Sequence, residues 1–265
     1  VGAPKTIDND LAGTDHTPGF GSAARFVASS VKEVARDSGV YAEKSITIIE
    51  IMGRNAGWLT AASALARSEN STAPHLIYLP ERPISREKII EDVRNCPETN
   101  IIIAVSEGIR DENGEYYCSQ TTQSHDIFGH AQLAGCAKVV EGFLKEEFGY
   151  KMRSIELNVL QRCGGHFTSL TDLNESQHIG KRAAHAAIKG RTGVVMAFER
   201  TGDYVCTVIE NNVADVANKE RKVPDEFISE NSNDVTDAFM KYARPLILGD
   251  VQVITEDGVP KHITR

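Results

Sequence analysis

Two short β-branched runs, SITIIEI at 45–51 and NIIIAVSEG at 100–108, constrain the fold more than any other feature. Runs of this composition and length predict buried strands. The segments around them have a helical period. Residues 22–37 place Ala23, Val27, Val31, Val34 and Ala35 on one stripe, and the Ala- and Leu-rich 55–69 reads as a second helix. HLIYLP at 75–80 is a strand stopped by a proline, and 85–96 is a helix that Ser85 can cap. DENGEYY at 111–117 carries an Asn-Gly turn signal and reads as a hairpin or lid. Further on come a helix at 130–149, a strand at 153–160 and a helix at 172–190. Asp172 and Glu175 read as the capping box of that last helix, and Gly190 as its C-cap. Two strand-like runs, GVVMAFER and YVCTVIEN, and a final helix at 234–247 complete the chain. Such alternation predicts an α/β fold with largely parallel sheets, helices covering both faces. The polar stretches 109–125 and 211–233 are the candidates for mobile loops.

Composition narrows the class. The chain has 265 residues, 41% apolar and 25% charged, which suits a globular fold of one large domain or two moderate ones. No apolar run approaches the length of a membrane span, so no membrane partner is expected. A net charge of −8 without a basic block argues against nucleic acid. Cys96, Cys118, Cys136, Cys163 and Cys206 are odd in number and lack CxxC spacing, which fits reduced thiols in the cytoplasm. No histidine pattern predicts structural zinc. The chain begins at Val1 on what reads as the end of a strand, so the natural protein is expected to start further upstream.

Ligands of open α/β sheets bind beyond the carboxyl ends of strands. PKTIDND, MGRNAG, PER, SEG and QRCGG all fall at such ends, which predicts one shared polar site. In an extended segment Thr6, Asp8 and Asp10 face one way, and Lys5 does not. The spacing suits a base beside a metal-holding or orienting group, but by itself it favours an Asx-rich loop whose carboxylates accept backbone N–H bonds. Gly53 would let a ligand approach the backbone, and Arg54 could grip a phosphate or carboxylate. Glu81 could accept bonds from sugar hydroxyls or lie on the surface. Arg153 and Arg162 bracket one predicted strand, roughly 30 Å apart if it is straight. One is therefore structural, or one serves a neighbouring subunit. GFGSAA at 19–24 matches a dinucleotide fingerprint without the preceding strand, and reads as a turn into a helix whose N-terminus can still face an anion. Cys163, near His166, reads as a buried thiol.

Together these motifs resemble the phosphofructokinase family, in order and spacing over essentially the whole chain. PKTIDND resembles the catalytic loop, EIMGRNAGWL the sugar-phosphate loop, YLPE the acid for sugar hydroxyls, and LQR with GG the 6-phosphate segment. The wording ELNVLQRCGGH, TDLNES and ANKERKVP is similar to bacterial members that use pyrophosphate. The resemblance implies two α/β/α lobes. Residues 1–19 and 161–212 would belong to the larger, donor-side lobe, and 20–160 with 213–265 to the smaller sugar-phosphate lobe. It implies Asp8 as base for the 1-hydroxyl of fructose 6-phosphate, with Asp10 supporting it and the Mg²⁺ shell. Thr6 and Ile7 would line the sugar. Met52, Gly53 and Arg54 would hold the substrate, and Glu81 its hydroxyls. Gln161 and Arg162 would lie at the 6-phosphate, and Arg153 would reach it from the adjacent subunit of a homodimer or homotetramer. Lys5 would stabilise the leaving phosphate of pyrophosphate.

Three departures stand against the family pattern. Val159 replaces a common histidine, and Ser45, beside Lys44, replaces a common arginine. The glycine-rich donor loop, with the main Mg²⁺ ligand, belongs upstream of Val1. The chain is therefore expected to be a fragment, inactive alone, of an enzyme that phosphorylates fructose 6-phosphate from pyrophosphate. The alternatives are the same reaction with ATP, a non-catalytic sugar-phosphate-binding module, and, from GFGSAA alone, a dinucleotide oxidoreductase.

Overall fold

The computed structural model describes residues 1–118 and 135–262. In chain order its main elements are α1 (Phe20–Ser38), β1 (Ser45–Ile51), α2 (Trp58–Ala62), β2 (Leu76–Tyr78), α3 (Arg86–Asn95), β3 (Asn100–Ser106), α4 (Cys136–Phe148), β4 (Lys151–Glu156), α5 (Leu160–Cys163), α6 (Leu170–Ile188), β5 (Val194–Thr201), β6 (Val205–Asn212), α7 (Val213–Val216), α8 (Asp237–Ala243), β7 (Thr255–Glu256) and β8 (Val259–Pro260). Residues 119–125 of the predicted mobile stretch and 130–134 of the predicted helix lie outside the described residues. Among the described residues no helix is long and apolar enough to cross a membrane.

The chain divides into two compact units, Val1–Phe26 with Leu160–Arg221 and Ala243–Arg265, and Val27–Val159 with Lys222–Tyr242. The boundaries differ from those expected, most of all at the C-terminus. Residues 243–265 fall with the first unit because Ser169 Oγ donates to the Leu246 and Leu248 carbonyls, and Arg25 pairs with Asp250 and the Gly249 carbonyl.

The second unit contains the expected parallel sheet, in the order β2-β3-β1-β4. Its apolar runs are buried on both faces. Ile46 and Ile48 join Ile101, Ile103 and Val105 in one cluster with Ile89 and Val93 of α3 and Val140, Phe143 and Leu144 of α4. Ile49 and Ile51, which point the other way, are equally enclosed. Ser85 caps α3 as expected, accepting the Lys88 amide. The predicted helix 55–69 is shorter. It begins at Trp58 and tightens into a 3₁₀ turn over Ser63–Ala66, where Ser63 Oγ donates to the Thr60 carbonyl at 2.5 Å. The predicted last helix is likewise reduced to Asp237–Ala243 and a 3₁₀ turn. Its Phe239 and Tyr242 pack with Phe227, and Tyr242 and Phe227 in turn flank Trp58.

In the first unit β5 and β6 form an antiparallel pair, and Gly2 adds a parallel bridge to Val195. The C-cap of α6 is as expected. Gly190, at φ +74°, donates to Ala187 while Arg191 donates to Ala186, a Schellman closure. Its N-cap is corrected. Ser169, not Asp172, caps the helix by accepting the Asp172 amide. The Asp172 carboxylate instead accepts the Gly19 and Ser22 amides at 2.8 and 3.0 Å. The α1 N-terminus thus already faces an anion, supplied by its own chain, and GFGSAA serves packing: a Cβ on Gly21 would overlap the Leu246 carbonyl.

Asp172 is buried, so its removal strands two amides. Asp172→Ala is expected to lower stability by about 2 kcal/mol, read as a lower urea midpoint at unchanged slope, with Asp172→Asn in between. Equal midpoints would show that this cap carries no load.

Candidate functional site

The residues singled out in the sequence fall into two groups, one in each unit. The first unit holds Lys5, Thr6, Ile7, Asp8, Asp10, Gln161 and Arg162; the second holds Met52, Gly53, Arg54, Glu81 and Arg153.

In the first group the segment after Pro4 is not an extended strand. Thr6 Oγ1 accepts the Asp8 amide at 3.1 Å and donates to the Asp8 carboxylate at 3.3 Å, and Asn9 takes φ +56°. The alternation that was to align Thr6, Asp8 and Asp10 therefore does not hold; a tight turn groups them instead. Asn9, which sequence reasoning passed over, is the pivot. It is fully buried, and its Oδ1 accepts the Thr17 amide at 3.0 Å. Thr17 Oγ1 also donates to the Thr6 carbonyl at 2.7 Å. Arg221 holds the other side, donating from its backbone amide to the Asp10 carbonyl and from its guanidinium to the Asn9 carbonyl. Burial and the adjacent Asp8 charge push the Asp10 carboxyl above its usual range, with Arg221 opposing more weakly. Lys5 is exposed.

Gln161 is buried and Arg162 exposed, both on α5. Strand β4 ends at Glu156, so the 30 Å straight-strand separation of Arg153 from Arg162 is withdrawn. Cys163 is exposed rather than buried, and its thiol lies against the Leu160 carbonyl at 3.8 Å.

In the second group parallel register brings the loops after β1 and β3 side by side. The Gly53 amide donates to Glu107 Oε1 at 3.2 Å, and its carbonyl accepts from Ser106 Oγ. Gly53 sits at φ +138°, where a Cβ would meet the Ala56 carbonyl at 2.5 Å. Gly108 is needed as well, since a Cβ there would overlap the Arg54 carbonyl. Glu81, after β2, is tied to the same edge. Its Oε1 accepts the Gly57 and Val223 amides, both at 2.9 Å. Burial raises the Glu81 carboxyl above its usual range, against those two amides. Its Oε2 and the Arg54 Nε are buried with no hydrogen-bond partner among the described residues. The turn at 111–117 reaches this loop too: Tyr116 Oη donates to Asn55 Oδ1 at 3.1 Å, and Arg110 stacks on the Tyr116 ring.

Arg153 is exposed and pairs with Asp37 at 3.1 Å. Ser45 is spent on Asn100, and Lys44 lies over the Tyr150 ring, so neither reproduces a free arginine. Val159 is half exposed.

Sequence reasoning missed one cluster altogether. His16, Glu175 and Cys206 bring ligand-type atoms within 4.8 Å of one another in the first unit. Both ring nitrogens of His16 already face carboxylates at 2.8 Å, which leaves a metal ion no imidazole lone pair. No local spacing could reveal this cluster, because its members come from three distant elements.

A family model described as "Phosphofructokinase" matches residues 1–187. The pyrophosphate--fructose 6-phosphate 1-phosphotransferases of Xanthomonas campestris and Methylococcus capsulatus are each 39% identical over 100% of this chain. The chain spans 65% and 64% of their lengths. The crystal structure of the pyrophosphate-dependent phosphofructokinase of Nitrosospira multiformis superposes with a TM-score of 0.88 at 32% identity, over 98% of this chain and 63% of that one. Members of this family generally use a divalent metal cation. With a family model, full-chain relatives and the overall superposition agreeing, the chain belongs to the phosphofructokinase family.

Proposed function

We propose that the chain forms part of a phosphotransferase that moves a phosphoryl group from pyrophosphate to the 1-hydroxyl of fructose 6-phosphate. The observation that carries this is the pair of buried, unpartnered polar atoms, Arg54 Nε and Glu81 Oε2. Buried polar groups are normally satisfied, so two at neighbouring loop ends await a ligand with both acceptors and hydroxyl donors. A sugar phosphate offers both. The names of the relatives supply the substrates.

The roles follow from chemistry. Asp8, a carboxylate in a turn, accepts the hydroxyl proton as the oxygen attacks phosphorus. Phosphoryl transfer runs through a loose transition state, so positioning and charge neutralisation matter more than a strong base. Thr6 and Ile7 flank that hydroxyl, and Met52 and Gly53 present the backbone to the substrate. Arg54 neutralises charge on the transferred group and Lys5 on the leaving phosphate. Gln161 and Arg162 hold the 6-phosphate, and Arg153 serves that of a neighbouring copy in a homodimer or homotetramer. Asp8 and Asp10 present hard oxygens of the kind a divalent cation takes. Asp10 would hold Mg²⁺ there, directly or through its shell, and the ion would screen the phosphate charges. The setting is the cytoplasm.

In the full protein, Asp8→Asn is expected to lower kcat by on the order of 10²–10⁴ with intact folding by circular dichroism. Turnover near the parental rate would remove Asp8 as the base. Glu81→Gln is expected to raise KM for fructose 6-phosphate about tenfold or more, because the buried pocket loses an acceptor; an unchanged KM would take Glu81 off the sugar. Turnover is expected with pyrophosphate and not with ATP. Activity with ATP alone would move the assignment to the nucleotide-dependent reaction, and binding of fructose 6-phosphate without turnover on either donor would make the protein a binding module.

A further inference from the structure

The mechanism above leaves one buried charged network unused. His16 is 2% exposed and stacks on Phe198 of β5, with ring centroids 4.6 Å apart. Its Nδ1 lies 2.8 Å from Asp15 Oδ1 and its Nε2 2.8 Å from Glu175 Oε2 on α6. An ionised carboxylate only accepts, so two such contacts require both ring nitrogens to donate, and the ring is an imidazolium. The surroundings agree. Arg200 of β5 pairs with Asp15 at 3.2 Å, and Tyr204 Oη donates to Glu175 Oε1 at 2.7 Å. Cys206 of β6 completes the group beside Glu175, its thiol pushed up to about 12 by burial and the Glu175 charge, so it stays neutral. Arg221 adds positive charge at Asp15 as well, so His16, Arg200 and Arg221 face Asp15 and Glu175 inside the unit.

The network is joined to the Asp8 loop by short links. Asp15 and Thr14 bond the Phe198 backbone, which fixes the segment on β5. Thr17, adjacent to His16, holds the Thr6 carbonyl and the Asn9 side chain, on either side of Asp8. We propose that His16, clamped as an imidazolium between Asp15 and Glu175, is a positioning residue that sets the Asp8 turn through Thr17. This rests on the reading of Asp8 as the base. A catalytic turn misplaced by a fraction of an ångström loses rate with little loss of substrate affinity.

The sign of the pH dependence follows. Burial disfavours the charged ring, but the bonds to Asp15 and Glu175 outweigh it and raise His16 above its usual 6.5. The clamp is therefore complete below about 6.5 and is lost as pH rises through the raised folded value. Burial opposes ionisation of Asp15 and Glu175 too, yet the His16 bonds hold both below their usual ranges. On the acid side the clamp therefore persists until those lowered values are reached.

The test uses the full protein, with fructose 6-phosphate and pyrophosphate. His16→Gln keeps a donor but cannot carry charge. It is expected to lower kcat at least tenfold with KM changed less than threefold, and to erase the part of the alkaline fall in kcat that the parent owes to His16. A His16→Gln protein with parental kcat, or with the parental alkaline limb, overturns the proposal. Should that variant not fold, the link decides: Thr17→Val is expected to reproduce the kcat loss and Thr17→Ser to restore it, and parental kcat in Thr17→Val overturns the proposal equally. Asp8→Asn is run alongside. If it retains turnover, the base assignment has failed; if it is inactive while His16→Gln is parental, only the clamp has failed.

Discussion

Parallel pairing is the constraint on which the second unit depends. Ser45 aligns with Asn100 and Lys151, so β1, β3 and β4 start level and their carboxyl ends emerge together. Parallel strands leave no hairpin at that edge, and each must be followed by a loop that leads into a covering element. The loops after β1, β2 and β3 are thereby forced into company. Glu107 and Ser106 hold Gly53, and Glu81 holds Gly57. Each of these bonds spends a polar group on a neighbouring backbone, and Arg54 Nε and Glu81 Oε2 are among the buried polar atoms left without a partner among the described residues.

Charge crowding is handled differently in the first unit. Asp8 and Asp10 lie two residues apart, and burial together with the Asp8 charge raises the Asp10 carboxyl. The turn survives because three of its backbone carbonyls are held, that of Thr6 by Thr17 and those of Asn9 and Asp10 by Arg221. Asn9 suits a left-handed turn position better than other non-glycine residues, since its side chain bonds locally while its φ is positive. Holding the backbone in this way fixes where the two carboxylates stand without relying on their own side-chain contacts.

Much of the fold was legible in local pattern. The strands at 45–51 and 100–106, the helix beginning near residue 20, the Ser85 cap and the Gly190 closure all lie where periodicity and cap chemistry put them. The misses share a cause. Asp172 looked like a cap for its own helix, and Ser169 takes that place while Asp172 caps a helix 150 residues away. Arg162 was expected just past a strand running to residue 160, and a turn after Leu157 places it on a helix. Each depended on which distant backbone amide or side chain was nearby, and no local spacing encodes that.

The candidate residues divide in the same way. Asp8, Asp10, Gly53, Arg54 and Glu81 could be picked out from the sequence because motifs of charge and glycine at strand ends are local. The roles of Asn9, Thr17, Gly108 and His16 belong to tertiary structure. Gly108 is required by the Arg54 carbonyl, which comes from another strand's loop. His16 is an imidazolium only because Glu175 comes from α6 to face a ring that Asp15 already holds. Sequence alone thus determined which elements form and which chemistry they carry, since backbone propensity and side-chain type are properties of neighbours in the chain. Which carboxylates are paired, which are left open and which histidine is charged was decided by burial and long-range contact, where hydrogen-bond satisfaction is settled in three dimensions.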